Sequence, residues 1–284
     1  MNKRHLAIII TGVLYGLIGI FVKLIGSSMP MMSMSFFRVL FGFLFVAGMM
    51  PFLKGSLKLE RKDLKHFIAI GFLMALTFTI YNIAFLYAPI GNVALLVNCY
   101  VIFTAILAYL FLKEKLMKRD LFLMMCGLIG IAIMSPLSPG AMIGNLLGIA
   151  SGIAYAMLLV YMRYVERHHT VAAVFWFLLF ATIMMLPFPF IEGVAGLWGN
   201  LLWLVLLGAL PTGLAYVLLA YGLEKTDAET SSILIVLVTP LSSIMFAWIV
   251  FREVLMASIF FGGIILLFAG VLLENEKMGK KKRK

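Results

Sequence analysis

Apolar residues in this chain neither alternate with polar ones nor recur only at every third or fourth position. They fill whole stretches and stop at short charged connectors, giving runs at about 6–26, 33–53, 67–86, 93–112, 121–137, 146–164, 171–191, 201–223, 230–251 and 256–273. A bilayer core of about 30 Å is crossed by about 20 helical residues. Each run therefore predicts one membrane-spanning helix, and the lack of period-two alternation argues against an outer-membrane barrel. The connectors leave no room for a soluble domain with a chemistry of its own. The first run follows Lys3 and Arg4 in the manner of a secretory signal, but it lacks a small-x-small cleavage site and nine more runs follow. It reads as an uncleaved first helix.

Composition agrees with the pattern. Of 284 residues, 64% are apolar and 12% charged, with a mean hydropathy of +1.11. A soluble domain carries about 25% charged residues, so this chain cannot cover itself with polar groups in water. Two cysteines, Cys99 and Cys126, both inside apolar runs, read as packed thiols and cannot build a disulfide scaffold.

The net charge of +11 raises the question of nucleic acid until the basic residues are placed. With a cytoplasmic N-terminus, alternate connectors collect Lys3 and Arg4; Lys54, Lys58, Arg61, Lys62 and Lys65; Lys113, Lys115, Lys118 and Arg119; Arg163 and Arg167; Lys225; and Lys277, Lys280, Lys281, Lys282, Arg283 and Lys284. That puts 20 of the 23 basic residues on one face, with Arg252 outside and Lys23 and Arg38 within runs. The positive-inside rule then predicts a multi-pass protein of the cytoplasmic (inner) membrane with both termini cytoplasmic. The basic tail 277–284 reads as a topology determinant near anionic lipid, with no nucleic-acid partner.

The two halves resemble each other. Tyr15 lies eight residues before Lys23, as Tyr155 lies eight before Arg163, and Gly12 matches Gly152. Thr77 and Tyr81 of the third run answer Thr212 and Tyr216 of the eighth. AILAYLFLKE (105–114) lies over IMFAWIVFRE (244–253), pairing Glu114 with Glu253. Five helices per repeat force the second copy through the membrane in the opposite sense. The expected fold is an all-α integral membrane protein of ten transmembrane helices in two inverted five-helix repeats, 1–138 and 139–276, followed by the tail.

These features resemble the drug/metabolite transporter superfamily, EamA type: a Gly/Tyr-bearing first span closing on Lys23, Arg38 early in the second, and a ninth span carrying Ser231-Ser232, Pro240 and Arg252-Glu253. The fourth span departs, with Val101 where a proline would pair with Pro240. The resemblance implies a permease for metabolites, amino acids or drugs, with a cavity lined by spans 1, 3, 4, 6, 8 and 9, and favours export.

The polar residues at depth are the candidate substrate-binding groups. Thr77 and Tyr81, and Thr212 and Tyr216, are each one helical turn apart, and Ser231, Thr239 and Ser242 fall along one stripe of the ninth run. Tyr15, Tyr155, Asn82 and Asn98 complete the neutral set. Interhelical hydrogen bonding is the alternative reading for each. Pro211 and Pro240 are expected to free backbone carbonyls, as hinges or as static kinks. Gly12, Gly16, Gly19, Gly140, Gly144, Gly148 and Gly152 are expected to let helices approach closely. Lys23 and Arg38 sit near the outer interface, either snorkelling or lining an outer mouth selective for carboxylates. Lys23 shares a face with Gly12, Gly16 and Gly19, which directs it at protein. Glu114 and Glu253 are either solvated interface pairs or alternating gates, each paired with a basic residue when its side is closed.

None of the twelve carboxylates lies in the middle of a run, and His5, His66, His168 and His169 lie at or near run ends. Facilitated transport is therefore expected, or coupling through the substrate's charge or the two glutamates. No metal or cofactor is implied, and oligomeric state is left open. The expected function is secondary transport of small organic, amino-acid-like or drug-like metabolites by alternating access. The alternatives are a flippase of lipid-linked intermediates and, remotely, an intramembrane enzyme, which would need clustered acid, base or metal-binding groups at depth.

Overall fold

The structure, a computed structural model, describes residues 3–52, 63–113, 118–134, 140–165, 171–223, 228–254 and 256–281. Among these residues the chain is helical throughout, with no strand. In order the helical segments are α1 (Lys3–Ser28), α2 (Met31–Phe52), α3 (Leu64–Tyr87), α4 (Ile90–Leu112), α5 (Lys118–Met134), α6 (Met142–Val165), α7 (Ala172–Glu192), α8 (Leu197–Gly222), α9 (Ala228–Phe251) and α10 (Ala257–Lys281). Eight of them, all but α5 and α10, are long and apolar enough to cross a bilayer. The two remaining runs fall on α5, which has 17 residues, and on α10, whose apolar part is Ala257–Leu272.

Helix pairs every backbone group within its own segment, which suits an apolar run that has no period-two alternation and no water to satisfy it. Starts and stops follow the breakers. Pro30 and Pro89 occupy the N-cap positions of α2 and α4, and α1 ends at Gly26 and its short 3-10 turn, with Gly26 at φ +57°. Gly193 and Gly196, both at positive φ, make the turn into α8, and a side chain at Gly196 would collide with the Ser28 carbonyl. The ends of α4 and α9 are turned by non-glycine residues, Lys113 at φ 55° and Arg252 at φ 57°.

Polarity is inverted relative to a soluble protein. Phe111, Phe122, Trp198 and Phe268 are exposed, whereas Arg38, Asn82, Asn98, Asn145 and Thr212 are buried. Such an apolar exterior suits lipid. Inside, α1 packs against α8 and α9, α6 against α3 and α4, α2 against α7 and α8, α3 against α7, α4 against α9, and α5 against α10. Small residues make these approaches possible. Gly12 and Gly16 lie on Val238 and Ser242 of α9, Gly152 lies on Cys99 and the Val97 carbonyl of α4, and Gly130 lies on the Gly262 carbonyl of α10.

Three helices depart from α geometry near the middle of the bundle. The helix of α1 is interrupted at Leu17, α4 passes through a 3-10 turn at Val97–Cys99, and α8 through a π-helical turn at Ala209–Leu214 around Pro211. Pro240, by contrast, lies within a continuous helix. The irregularity of α4 needs no proline. Asn98 lies in its 3-10 turn and donates to the Ala94 carbonyl at 2.7 Å.

Candidate functional site

The polar centre of the bundle is built around Arg38. Its position on α2 places it between α3 and α8, and the π-turn of α8 carries Thr212 toward it. Arg38 Nε donates to Thr212 Oγ1 at 3.0 Å, and Nη1 donates to Asn82 Oδ1 at 2.6 Å. Thr212 in turn donates to the Leu207 carbonyl, five residues back, a bond that belongs to the π-turn. Asn82 donates from Nδ2 to Ser35 Oγ at 2.9 Å, and Ser35 donates to the Met31 carbonyl at 3.0 Å. The guanidinium lies over the Phe78 ring, 4.6 Å from its centroid. Only 1% of Arg38 is exposed, so the side chain neither snorkels to an interface nor lines an outer mouth. Three neutral partners on neighbouring helices hold it inside, where cation–π contact and hydrogen bonds offset desolvation.

Aromatic rings wall this hub. Tyr216 lies edge-on to both Tyr15, at 5.7 Å between centroids, and Phe78, at 6.1 Å. Tyr81 packs edge-on against Phe85, and Tyr155 edge-on against Tyr100. The buried Tyr15 hydroxyl neighbours Tyr216 but makes no hydrogen bond of normal geometry, and the buried Thr239 hydroxyl also has no partner.

A second constellation lies at the end of the bundle remote from the N-terminus. Lys23 of α1 forms a salt bridge with Glu253 Oε1, just beyond α9. The other carboxylate oxygen accepts from the Ile90 backbone N–H at 2.9 Å, at the start of α4. One carboxylate thus ties three helices. The left-handed turn at Arg252 sends Glu253 back across the helix end, with Arg252 N donating to the Trp248 carbonyl and Glu253 N to the Ala247 carbonyl. Arg252 itself stacks over Trp248. At the same end Glu192 accepts from the Met32 and Ser33 N–H groups at the start of α2, Ser33 donates to the Gly193 carbonyl, and Asn200 donates to Ser28 Oγ.

The remaining sequence candidates are less central. Thr77 bonds the Leu73 carbonyl of its own helix, and Ser242 bonds the Gly12 and Thr239 carbonyls where α9 meets α1. Glu114 and the side chain of Ser231 lie outside the described residues. Sequence reasoning missed Ser35, Phe78 and Ile90. Ser35 stands one turn before Arg38 and Phe78 one turn before Asn82, so same-face spacing was the available signal. Among the described residues no three His, Cys, Asp or Glu side chains gather to hold a metal.

A family model described as "EamA-like transporter family" matches residues 2–135 and again 142–275. An uncharacterized transporter of Archaeoglobus fulgidus is 30% identical over 276 residues, covering 96% of each chain. The pseudopaline exporter CntI of Pseudomonas aeruginosa is 26% identical over 269 residues, covering 91% of each. A solved crystal structure superposes with a TM-score of 0.63 at 15% identity, covering 95% of this chain and 96% of the other, a likeness of fold alone.

Proposed function

The chain belongs to the EamA-like transporter family, and from that premise we propose that it moves small organic metabolites across the cytoplasmic membrane by alternating access, with export as the favoured direction. The observation that carries this reading is the Lys23–Glu253–Ile90 tie, which shuts one end of a bundle whose polar centre lies behind it. With a cytoplasmic N-terminus that end is the outer one. The carrier is then in an outward-closed state, and release of Glu253 opens the outer path.

Ten spans in two inverted repeats, counting α5 and α10, underlie the exchange of states. Three observations support this. The family model matches the two halves separately, at 2–135 and 142–275. Shifting every helix number by five converts the packing pairs into one another: α1–α9 becomes α6–α4, α1–α8 becomes α6–α3, and α2–α8 becomes α7–α3. Finally, α4 and α9 end on left-handed residues at equivalent positions, Lys113 and Arg252. Repeats so related give inward- and outward-open states of similar energy around one fixed site.

The substrate site is centred on Arg38, Asn82 and Thr212, with Tyr15, Tyr81 and Tyr216 around it. Export rests on family grounds and on the printed name of the Pseudomonas relative. Counterflow in proteoliposomes tests the proposal with a panel of labelled amino acids, nucleobases and organic acids. At least one compound is expected to exchange saturably, with flux accelerated by unlabelled compound on the opposite side. Exchange of none, with scrambling of a headgroup-labelled lipid instead, would replace the carrier by a flippase.

A further inference from the structure

We propose that Arg38 is the recognition point for the carboxylate of an organic acid, whose apolar body lies against the rings of Phe78, Tyr216 and Tyr15. The proposal rests on the carrier reading and names its substrate class.

A buried guanidinium ordinarily keeps a carboxylate beside it, because an uncompensated charge in a low-dielectric interior is costly. Arg38 has none among the described residues. Its partners, Asn82, Thr212 and Phe78, are neutral and occupy only Nε, Nη1 and one face of the plane. Nη2 has no protein partner among the described residues. Close by, the buried Tyr15 hydroxyl faces Tyr216 without a hydrogen bond of normal geometry, and the buried Thr239 hydroxyl on α9, where that helix meets Gly12 one turn before Tyr15, has no partner among the described residues. Unpartnered polar groups in such a place point to a ligand that completes them.

The polarity of these unpaired groups selects the ligand. Asn82 is held with its oxygen toward Arg38 because Ser35 takes its amide hydrogen. Its acceptor is therefore already used, and the free positions on Arg38 are N–H donors. An ammonium group finds repulsion there, whereas a planar carboxylate accepts from the guanidinium and from the Tyr15 hydroxyl. One guanidinium balances one negative charge. A phosphate dianion would leave surplus charge in the membrane interior, so a carboxylate fits better. The ring edges and faces around the hub supply apolar surface for the rest of the molecule.

The test uses the full chain in lipid nanodiscs and measures binding by calorimetry for 3-phenylpropionate and N-acetylphenylalanine, each against its carboxamide, and for inorganic phosphate. The acids are expected to bind at least about tenfold more tightly than the amides, the ratio that a charged hydrogen-bonding partner supports. Asn82→Asp is the decisive variant. It sets a carboxylate where Oδ1 lies 2.6 Å from Nη1, so the site neutralises itself. Expected are unchanged or higher thermal stability without ligand and loss of acid binding by at least about tenfold. Ser35→Ala, which frees the amide of Asn82, is expected to weaken the acid-over-amide preference without abolishing it.

Equal binding of acid and amide, binding of neither, preferred binding of phosphate, or an N82D protein that binds the acids as the wild type does would each overturn the assignment. The carrier reading stands or falls separately, because the counterflow panel includes nucleobases, which carry no carboxylate.

Discussion

Lys23 and Arg38 are the two cations that the topology of the chain leaves unexplained, and the molecule treats them in opposite ways. Lys23, with 24% of its side chain exposed, meets a fixed protein carboxylate at the rim of the bundle. Arg38, 1% exposed, is surrounded by neutral dipoles and rings. A lysine is a point charge on a flexible stem, suited to a contact that forms and breaks. Arginine's rigid fork holds two neutral partners and keeps further donors free. A charge compensated from within ties helices together, whereas one compensated only by dipoles remains available to a guest.

The largest effect separating these regions is expected at the hub. Arg38→Gln removes the charge and leaves Asn82 Oδ1 and Thr212 short of their donor, so counterflow should fall by about 100-fold or more. Arg38→Lys should rescue little of it, since an ammonium cannot span both partners. Retention of most of the flux by the glutamine variant would erase the distinction drawn between the two cations.

The backbone that walls the hub should be nearly as sensitive. A Cβ at Gly208 would stand 2.5 Å from Phe41 Cβ, 2.7 Å from the Arg38 carbonyl and 2.8 Å from Gly42 N, none of them the far end of a flexible side chain. Gly208→Ala should therefore cost about 2–3 kcal/mol by overpacking. At Gly148 the nearest atom would be 3.4 Å away, and the same change should stay within about 0.5 kcal/mol. Thermal midpoints of the purified variants decide this, and equal losses would mean that the two glycines serve the same purpose.

On the rim the expected change is smaller and of opposite sign. Arg252 occupies a left-handed conformation that costs a side-chain-bearing residue about 1–2 kcal/mol. Arg252→Gly keeps the turn that aims Glu253 and gives up the stacking on Trp248, worth about 0.5–1 kcal/mol. A net gain of about 0.5 kcal/mol with undiminished flux is expected. Destabilisation together with loss of flux would show that the arginine side chain, rather than the turn, organises the rim.

These contrasts also mark how far residues alone could lead. Helices were legible because unbroken apolar runs without period-two alternation pair their backbone within one segment in lipid; the breakers Pro30, Pro89 and Gly26 then set where several of them start and stop. The direction of Lys23 toward protein was legible from its spacing after Gly12, Gly16 and Gly19. Its partner was not, because Glu253 lies 230 residues away and reaches Lys23 only through the left-handed turn at Arg252. Arg38 was singled out as a cation but expected at an outer mouth. What holds it inside is the π-turn of α8 that presents Thr212, together with Asn82 on α3, and neither follows from the periodicity of α2. Asn82 and Thr212 were recognised as polar groups at depth, but their convergence on one guanidinium is a product of tertiary packing.

The division between a tie that opens and a site that binds is tested most directly by a distance measured across the rim. Spin labels at Ser27 and Val254, both exposed beside the Lys23–Glu253 pair, report the separation of α1 from the end of α9 in a chain whose Cys99 and Cys126 are replaced by alanine. In lipid, the parent should give a mainly short distribution. Glu253→Gln should shift it to longer distances, because both Lys23 and the Ile90 N–H lose their shared anion, while Arg38→Gln should leave it short. An unchanged distribution in Glu253→Gln, or an equal lengthening in both variants, would contradict the assignment of closure to the rim and recognition to the hub.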